Sequence, residues 1–120
     1  MNIKLFDSEL KVMDVLWQNG DTTAKEVAQI LNKEVGWSKT TTYTVIKKCI
    51  NKGAIKRIEP KFVCHPLVTK EEAQAFETRE LIEKMYDGAE DQLIANLLGR
   101  TNLSKEEIEQ LKNLVNRLGE

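Results

Sequence analysis

The sequence predicts a mainly α-helical chain interrupted by one small β hairpin. Three observations predict it. Apolar residues recur at helical spacing through most of the chain. Three Thr/Ser-x-x-Glu pairs, at Thr23, Thr69 and Ser104, stand where stretches of that spacing begin. Residues 54–66 alone join β-prone residues across a proline turn.

Leu10, Met13, Leu16 and Trp17, widened by Val12 and Val15, make residues 8–18 an amphipathic helix that stops near Asn19-Gly20. After a short extended stretch at Asp21-Thr22, Thr23 and Glu26 form a capping box. Val27, Ile30 and Leu31 then supply the buried face of a second helix ending near Asn32. Glu34-Val35-Gly36 with Trp37 forms a turn, Ser38 caps a third helix running to about Lys52, and Gly53 closes it.

The third helix has two unlike faces. Thr42, Val45, Ile46 and Cys49 lie at i, i+3, i+4 and i+7 and form a packing face, while Thr40, Thr41, Tyr43, Thr44, Lys47, Lys48 and Asn51 occupy the rest. β-Branched threonines are mediocre helix formers, so helix stability alone does not select such a run. Their hydroxyls and methyls suit base edges in a major groove, and lysines suit phosphates. Capping and lining a solvated helix start is the other use such threonines have. Beyond Gly53, residues 54–58 read as a strand, Glu59-Pro60-Lys61 as a turn and residues 62–66 as the returning strand. Helix, helix, third helix and basic hairpin, in that order, make a winged helix-turn-helix over residues 1–68, with the third helix placed for the major groove and the wing for the backbone.

Residues 69–120 predict three further helices. Thr69 and Glu72 open one that carries Ala73, Phe76, Leu81, Ile82 and Met85 and ends around Tyr86-Asp87-Gly88. A short one carries Leu93, Ile94, Leu97 and Leu98 and stops at Gly99. Ser104 and Glu107 open the last, striped by Ile108, Leu111, Leu114, Val115 and Leu118. Small helices cannot bury all these stripes against each other, so a second copy of the chain is expected over Phe76, Leu93, Ile94, Leu97, Ile108, Leu111, Leu114 and Leu118. Folding back onto the winged helix within one monomer is the alternative. The predicted fold class is thus mainly α: a winged helix-turn-helix domain with a small β wing, plus a helical dimerisation arm.

Charge separates the two segments. Residues 1–66 hold 11 Lys and Arg against 7 Asp and Glu, a balance of +4, whereas residues 67–120 hold 7 against 12, or −5. Within 39–61, seven basic residues face Glu59 alone, giving +6. A basic stripe of this kind is the electrostatic footprint of phosphate contacts. Double-stranded operator DNA is therefore the expected partner. The residues assigned to it are Lys39, Thr40, Thr41, Tyr43, Thr44, Lys47, Lys48, Arg57 and Lys61, with Thr41, Tyr43 and Thr44 at base edges and Lys47, Lys48, Arg57 and Lys61 at phosphates.

Other classes fit less well. His65 is the single histidine, and no nucleophile–base set can be assembled from it, so an enzyme is not expected. Neither a cofactor nor a metal is expected, since Cys49 and Cys64 lack CxxC spacing and fall short of a four-ligand zinc site. A repressor that senses metal or oxidant through Cys49, Cys64 and His65 remains an alternative. So does a winged-helix protein-interaction module, because fold does not fix function. No signal peptide or membrane span is visible, and the cytoplasm is the expected compartment.

With this order in place, the sequence resembles the penicillinase repressor family, the BlaI/MecI/CopY group of bacterial regulators, over essentially its full length. The residues that carry the resemblance are Glu9-Leu10-x-Val12-Met13-x-x-Leu16-Trp17, Val27-Ala28-x-x-Leu31, Trp37-Ser38-Lys39-Thr40-Thr41 and Lys52-Gly53-x-Ile55-Lys56-Arg57. In the arm they are Tyr86-Asp87-Gly88, Leu93-Ile94-x-Asn96-Leu97 and Ile108-x-x-Leu111. Order and spacing together make the resemblance. It implies a homodimer that occupies an inverted-repeat operator and represses transcription, in many members of β-lactam resistance genes. It also implies release by proteolysis within the arm, triggered by a membrane sensor with a metalloprotease domain, and places the cut at Asn96-Leu97. Copper-responsive members carry a cysteine-rich tail that residues 113–120 lack, so that mode of sensing is not expected. Tyr43 stands where antibiotic-responsive members place an arginine, and a phenol cannot make the bidentate guanine contact of a guanidinium.

Overall fold

The computed structural model describes residues 3–100 and 104–118. Its elements run α1 (Asp7–Asn19), β1 (Thr22–Thr23), α2 (Ala24–Val35), α3 (Lys39–Lys52), β2 (Ile55–Ile58), β3 (Val63–Pro66), α4 (Lys70–Tyr86), α5 (Glu90–Arg100) and α6 (Lys105–Leu118).

Caps set most of these limits. The Ser38 hydroxyl accepts the Thr41 N–H at 3.1 Å and starts α3. Gly53, at φ 83°, turns left-handed and donates its N–H back to the carbonyls of Cys49 and Ile50, ending the helix. Thr69 and Glu72 exchange hydrogen bonds at 3.2 and 3.0 Å, and Ser104 and Glu107 repeat the pattern at 3.4 and 3.1 Å.

The N-terminal unit is built on the packing faces the spacing picks out. Val12, Met13 and Leu16 of α1, Val27 and Leu31 of α2, and Val45, Ile46 and Cys49 of α3 form one cluster with Ile55 and Cys64 of the hairpin. Thr42, also fully buried, satisfies its hydroxyl on the Ser38 carbonyl at 3.3 Å. The sheet has three antiparallel strands in the order β1-β3-β2, with Thr22 and Arg57 both opposite Cys64.

Four features differ from the sequence reading. β1 joins what the sequence shows as a two-stranded hairpin, because a two-residue strand has no periodicity and exists only through its pairing with β3. α2 runs three residues past Asn32, since Gly36 at φ 74° supplies the left-handed residue that closes it. Gly99 does not stop α5, which continues to Arg100. The chain divides into compact units at Thr78/Arg79 rather than after residue 68. The first turns of α4 belong with the N-terminal core: Ala73 is buried in it, and the Trp17 indole donates to the Val68 carbonyl at 2.9 Å just before the helix begins.

The C-terminal unit, 79–120, contains α5, α6 and the rest of α4. Ile94, Leu98, Ile108 and Leu111 line a groove of about 250 Å³ between α5 and α6.

Candidate nucleic-acid interface

α3 turns Thr40, Thr41, Thr44, Lys47 and Lys48 to solvent and keeps Thr42, Val45, Ile46 and Cys49 inside. The exposed hydroxyls are already oriented. Thr44 donates its proton to the Thr40 carbonyl at 2.9 Å, which leaves its hydroxyl oxygen to act as an acceptor. Thr41 Oγ1 accepts from the Ser38 hydroxyl at 3.0 Å and keeps its own proton to donate. The face thus offers a donor at Thr41 and an acceptor at Thr44, a pattern that base edges can match.

Tyr43 is placed differently from the threonines beside it. Its ring is half-buried and meets Phe62 edge to face, with centroids 5.8 Å apart and planes at 87°. Lys39 Nζ lies over the Tyr43 ring, 5.6 Å from its centroid. Phe62 in turn carries the Arg57 guanidinium 3.7 Å above its ring. Arg57 also forms an ion pair with Glu59. A continuous set of ring and cation contacts therefore joins α3 to the wing.

The basic residues sort into two groups. Among the described residues Lys39, Lys47, Lys48, Lys56 and Lys61 have no ion-pair partner, and all are exposed. Lys52, which lies in the same basic stretch, is committed inside the fold. Its Nζ meets Glu9 Oε1 at 2.6 Å and the Lys4 carbonyl at 2.8 Å, and lies 4.3 Å over the Phe6 ring. Glu9, 2% exposed, also accepts the Phe6 N–H at 2.7 Å.

The thiols and the histidine do not converge on a ligand site. Cys49 and Cys64 are both free and buried. Burial, with the Glu9 carboxylate adding to it, pushes the Cys49 thiol up to about 12. Burial pushes Cys64 up to about 11 against the lowering pull of Arg57. Such thiols are poor nucleophiles and poor metal ligands at neutral pH. His65 Nδ1 is paired with Asp21 Oδ1 at 2.6 Å. Among the described residues no cluster of His, Cys, Asp and Glu could hold a metal ion, and no helix is long and apolar enough to cross a membrane.

A model of the family described as penicillinase repressor matches residues 5–117. The chain belongs to the penicillinase repressor family. Among the relatives of this family member is the methicillin resistance regulatory protein MecI of Staphylococcus aureus (strain N315). It is 27% identical over 116 residues, which cover 95% of this chain and 94% of MecI. The penicillinase repressor of Bacillus licheniformis is 28% identical over 114 residues, covering 93% and 89%. Among solved structures, monomeric Bacillus licheniformis BlaI in complex with the blaP half-operator superposes with a TM-score of 0.54. It is 30% identical and covers 60% of this chain and 90% of that one. The winged helix-turn-helix expected from the order of elements is the fold of this penicillinase repressor family member.

Of the arm residues named from sequence, Phe76 falls in the N-terminal unit and the others in the C-terminal one. Leu93, Ile94, Ile108 and Leu111 are half-buried, whereas Leu97 is 45% and Leu114 49% exposed. The side chain of Leu118 lies outside the described residues. Asn96 is half-buried within α5. Phe62, absent from the sequence-derived site, is what joins Tyr43 to Arg57. An aromatic residue after a Pro-Lys turn gives no local signal of that role.

Proposed function

We propose that this protein is a transcriptional repressor that binds an inverted-repeat operator as a homodimer, in the service of β-lactam resistance genes. The observation that carries the reading is the solvent face of α3. Oriented hydroxyls at Thr41 and Thr44 lie between lysines that have no ion-pair partner among the described residues, beside a wing whose Arg57 and Lys61 are exposed. Thr41, Thr44 and Tyr43 read bases, with Lys39 and Thr40 at the start of the helix, while Lys47, Lys48, Arg57 and Lys61 hold phosphates. Binding of a half-operator by monomeric BlaI of the same fold supports duplex DNA as the partner.

Dimerisation is supported by the apolar residues that α5 and α6 leave accessible, Leu97, Leu98 and Leu114 among them. A two-fold pair sets two recognition helices roughly 34–36 Å apart, one turn of the duplex. Release follows cleavage at or near the Asn96-Leu97 bond by a membrane sensor metalloprotease. That bond lies within an 11-residue helix, a length that is marginal without tertiary support, so local opening gives a protease access. Cutting there detaches α6 and lowers occupancy of the paired half-sites.

Fluorescence titration against duplex DNA from upstream of the protein's own gene and against a shuffled duplex, at several salt concentrations, tests the reading. Preference for the first, with log affinity falling linearly in log salt, is the expected result. Equal, weak binding to both refutes it and favours a protein-interaction module. Mass spectrometry of the repressor from cells exposed to a β-lactam tests the release step, and an intact chain off its operator would overturn it.

A further inference from the structure

Phe62 is where an unusual backbone and an unusual contact set coincide. It has φ 51°, in the left-handed region that a bulky aromatic residue rarely occupies. Strain of this kind persists only where surrounding contacts hold it. Three do. The Phe62 carbonyl accepts the Ala24 N–H at 2.9 Å, at the start of α2. Its ring stands perpendicular to that of Tyr43 from α3, in an edge-to-face pair. The ring also meets the Arg57 guanidinium of β2, 3.7 Å from its centroid. One residue thus ties both helices of the helix-turn-helix to the wing.

We propose that Phe62 is a positioning residue for DNA binding, a brace that presets the Arg57 guanidinium relative to the recognition helix. The inference rests on the operator-binding reading and deepens it. An arginine on a free hairpin would lose side-chain entropy on meeting a phosphate, whereas one already stacked on a ring loses less. Stacking occupies the flat face of the guanidinium and leaves its N–H edge available. In the free protein Glu59 takes that edge, and in the complex a phosphate oxygen replaces the carboxylate. Tyr43 makes the setting depend on α3, so the preset guanidinium reaches its phosphate only when α3 is seated on its bases, and this contact, unlike those of Lys47 and Lys48, belongs to the sequence-specific complex.

The test uses the full-length protein and a duplex that the wild type itself selects from a random pool. Phe62→Asn removes the ring while asparagine still tolerates the left-handed backbone. Its preference for the selected duplex over random DNA should fall about tenfold, with random binding changed less than about twofold. Phe62→Tyr should restore the preference. The loss caused by Arg57→Ala should shrink in the Phe62→Asn background. A merely structural defect lowers both affinities together as the folded fraction drops, which circular dichroism reads directly. In the free protein, NMR should show Arg57 side-chain protons shifted upfield by the Phe62 ring, and less so in Tyr43→Ala. Unshifted Arg57 protons, an unchanged preference in Phe62→Asn, or an Arg57→Ala effect equal in both backgrounds would overturn the brace. A wild type with shifted Arg57 protons that selects no sequence overturns the operator reading instead, and the positioning role with it.

Discussion

Replacing Lys52 with methionine separates charge that serves the fold from charge that serves DNA. Lys52 lies 43 residues from Glu9, which is 2% exposed and bonded to it at 2.6 Å, so the substitution leaves a buried carboxylate with, among the described residues, the Phe6 N–H as its remaining partner. Breaking a buried pair in this way costs roughly 3–5 kcal/mol. The lysine side chain is 29% exposed, so water can partly take its place, and the expected loss is at the lower end, about 3 kcal/mol. A unit of this size has a total stability of only about 4–12 kcal/mol, which makes such a loss plain in urea denaturation followed by circular dichroism. Glu9→Gln combined with Lys52→Met should recover more than half of it, because the amide oxygen still accepts the Phe6 N–H and carries no charge. The slope of log affinity against log salt should be unchanged in the folded Lys52→Met variant, whereas Lys48→Met should flatten it by about 0.9, one phosphate's worth of counterion release. A stability loss under about 1 kcal/mol, or a flattened slope for Lys52→Met, would refute the assignment of Lys52 to the interior.

Gly53→Ala should cost about 1–2 kcal/mol through the backbone alone, since φ is 83° and nothing lies within 4 Å of the added methyl; denaturant midpoints measure it. Ser38→Ala should cost about 1 kcal/mol by removing the cap of α3, and a loss indistinguishable from zero would show that the cap contributes nothing. The thiols of Cys49 and Cys64, raised by burial to about 12 and 11, favour the neutral form in the native state. Their contribution is complete below the unfolded value near 9 and is lost as pH rises through the folded values. Stability should therefore fall between pH 9 and 11 more steeply in wild type than in a Cys49→Ala, Cys64→Ala double variant, as read by urea titration at each pH. Leu111→Glu or Leu114→Glu should shift the protein toward monomer in sedimentation and weaken operator binding with the DNA surface untouched. An unchanged dimer would place the interface elsewhere.

Local chemistry made most of the N-terminal fold legible. Ser38 and Gly53 bracket α3 to the residue because an N-cap hydroxyl and a left-handed glycine act within one helical turn. The i, i+3, i+4, i+7 face of Thr42, Val45, Ile46 and Cys49 is buried for the same reason: the period of a helix is a local property. Pairings between distant residues were not legible. Charge counting put Lys52 in the basic stripe, and only the folded chain brings it to Glu9. Phe62 looks in sequence like the first residue of a strand, and its left-handed backbone is set by contacts with Ala24, Tyr43 and Arg57. Tyr43 shares the hydroxyl-rich stretch of α3, yet it leans on the wing because an aromatic partner stands there. β1 is invisible for the same reason, since Thr22 and Thr23 become a strand only opposite Cys64 and Val63.

The pairing of β1 with β3 has a consequence for self-association. It occupies the edge of β3 that faces away from β2 and leaves β2 as an edge strand of the sheet, with Lys56 and Arg57 along it. An unpaired strand edge is a template for another chain, and charged residues are the usual means of blocking it. Arg57, assigned to a phosphate, therefore also joins Lys56 in keeping neighbouring molecules from adding a strand. Variants that neutralise them to weaken DNA binding will lose this protection too. A fall in DNA binding by such a variant reports on the interface only when light scattering shows the protein free of aggregates.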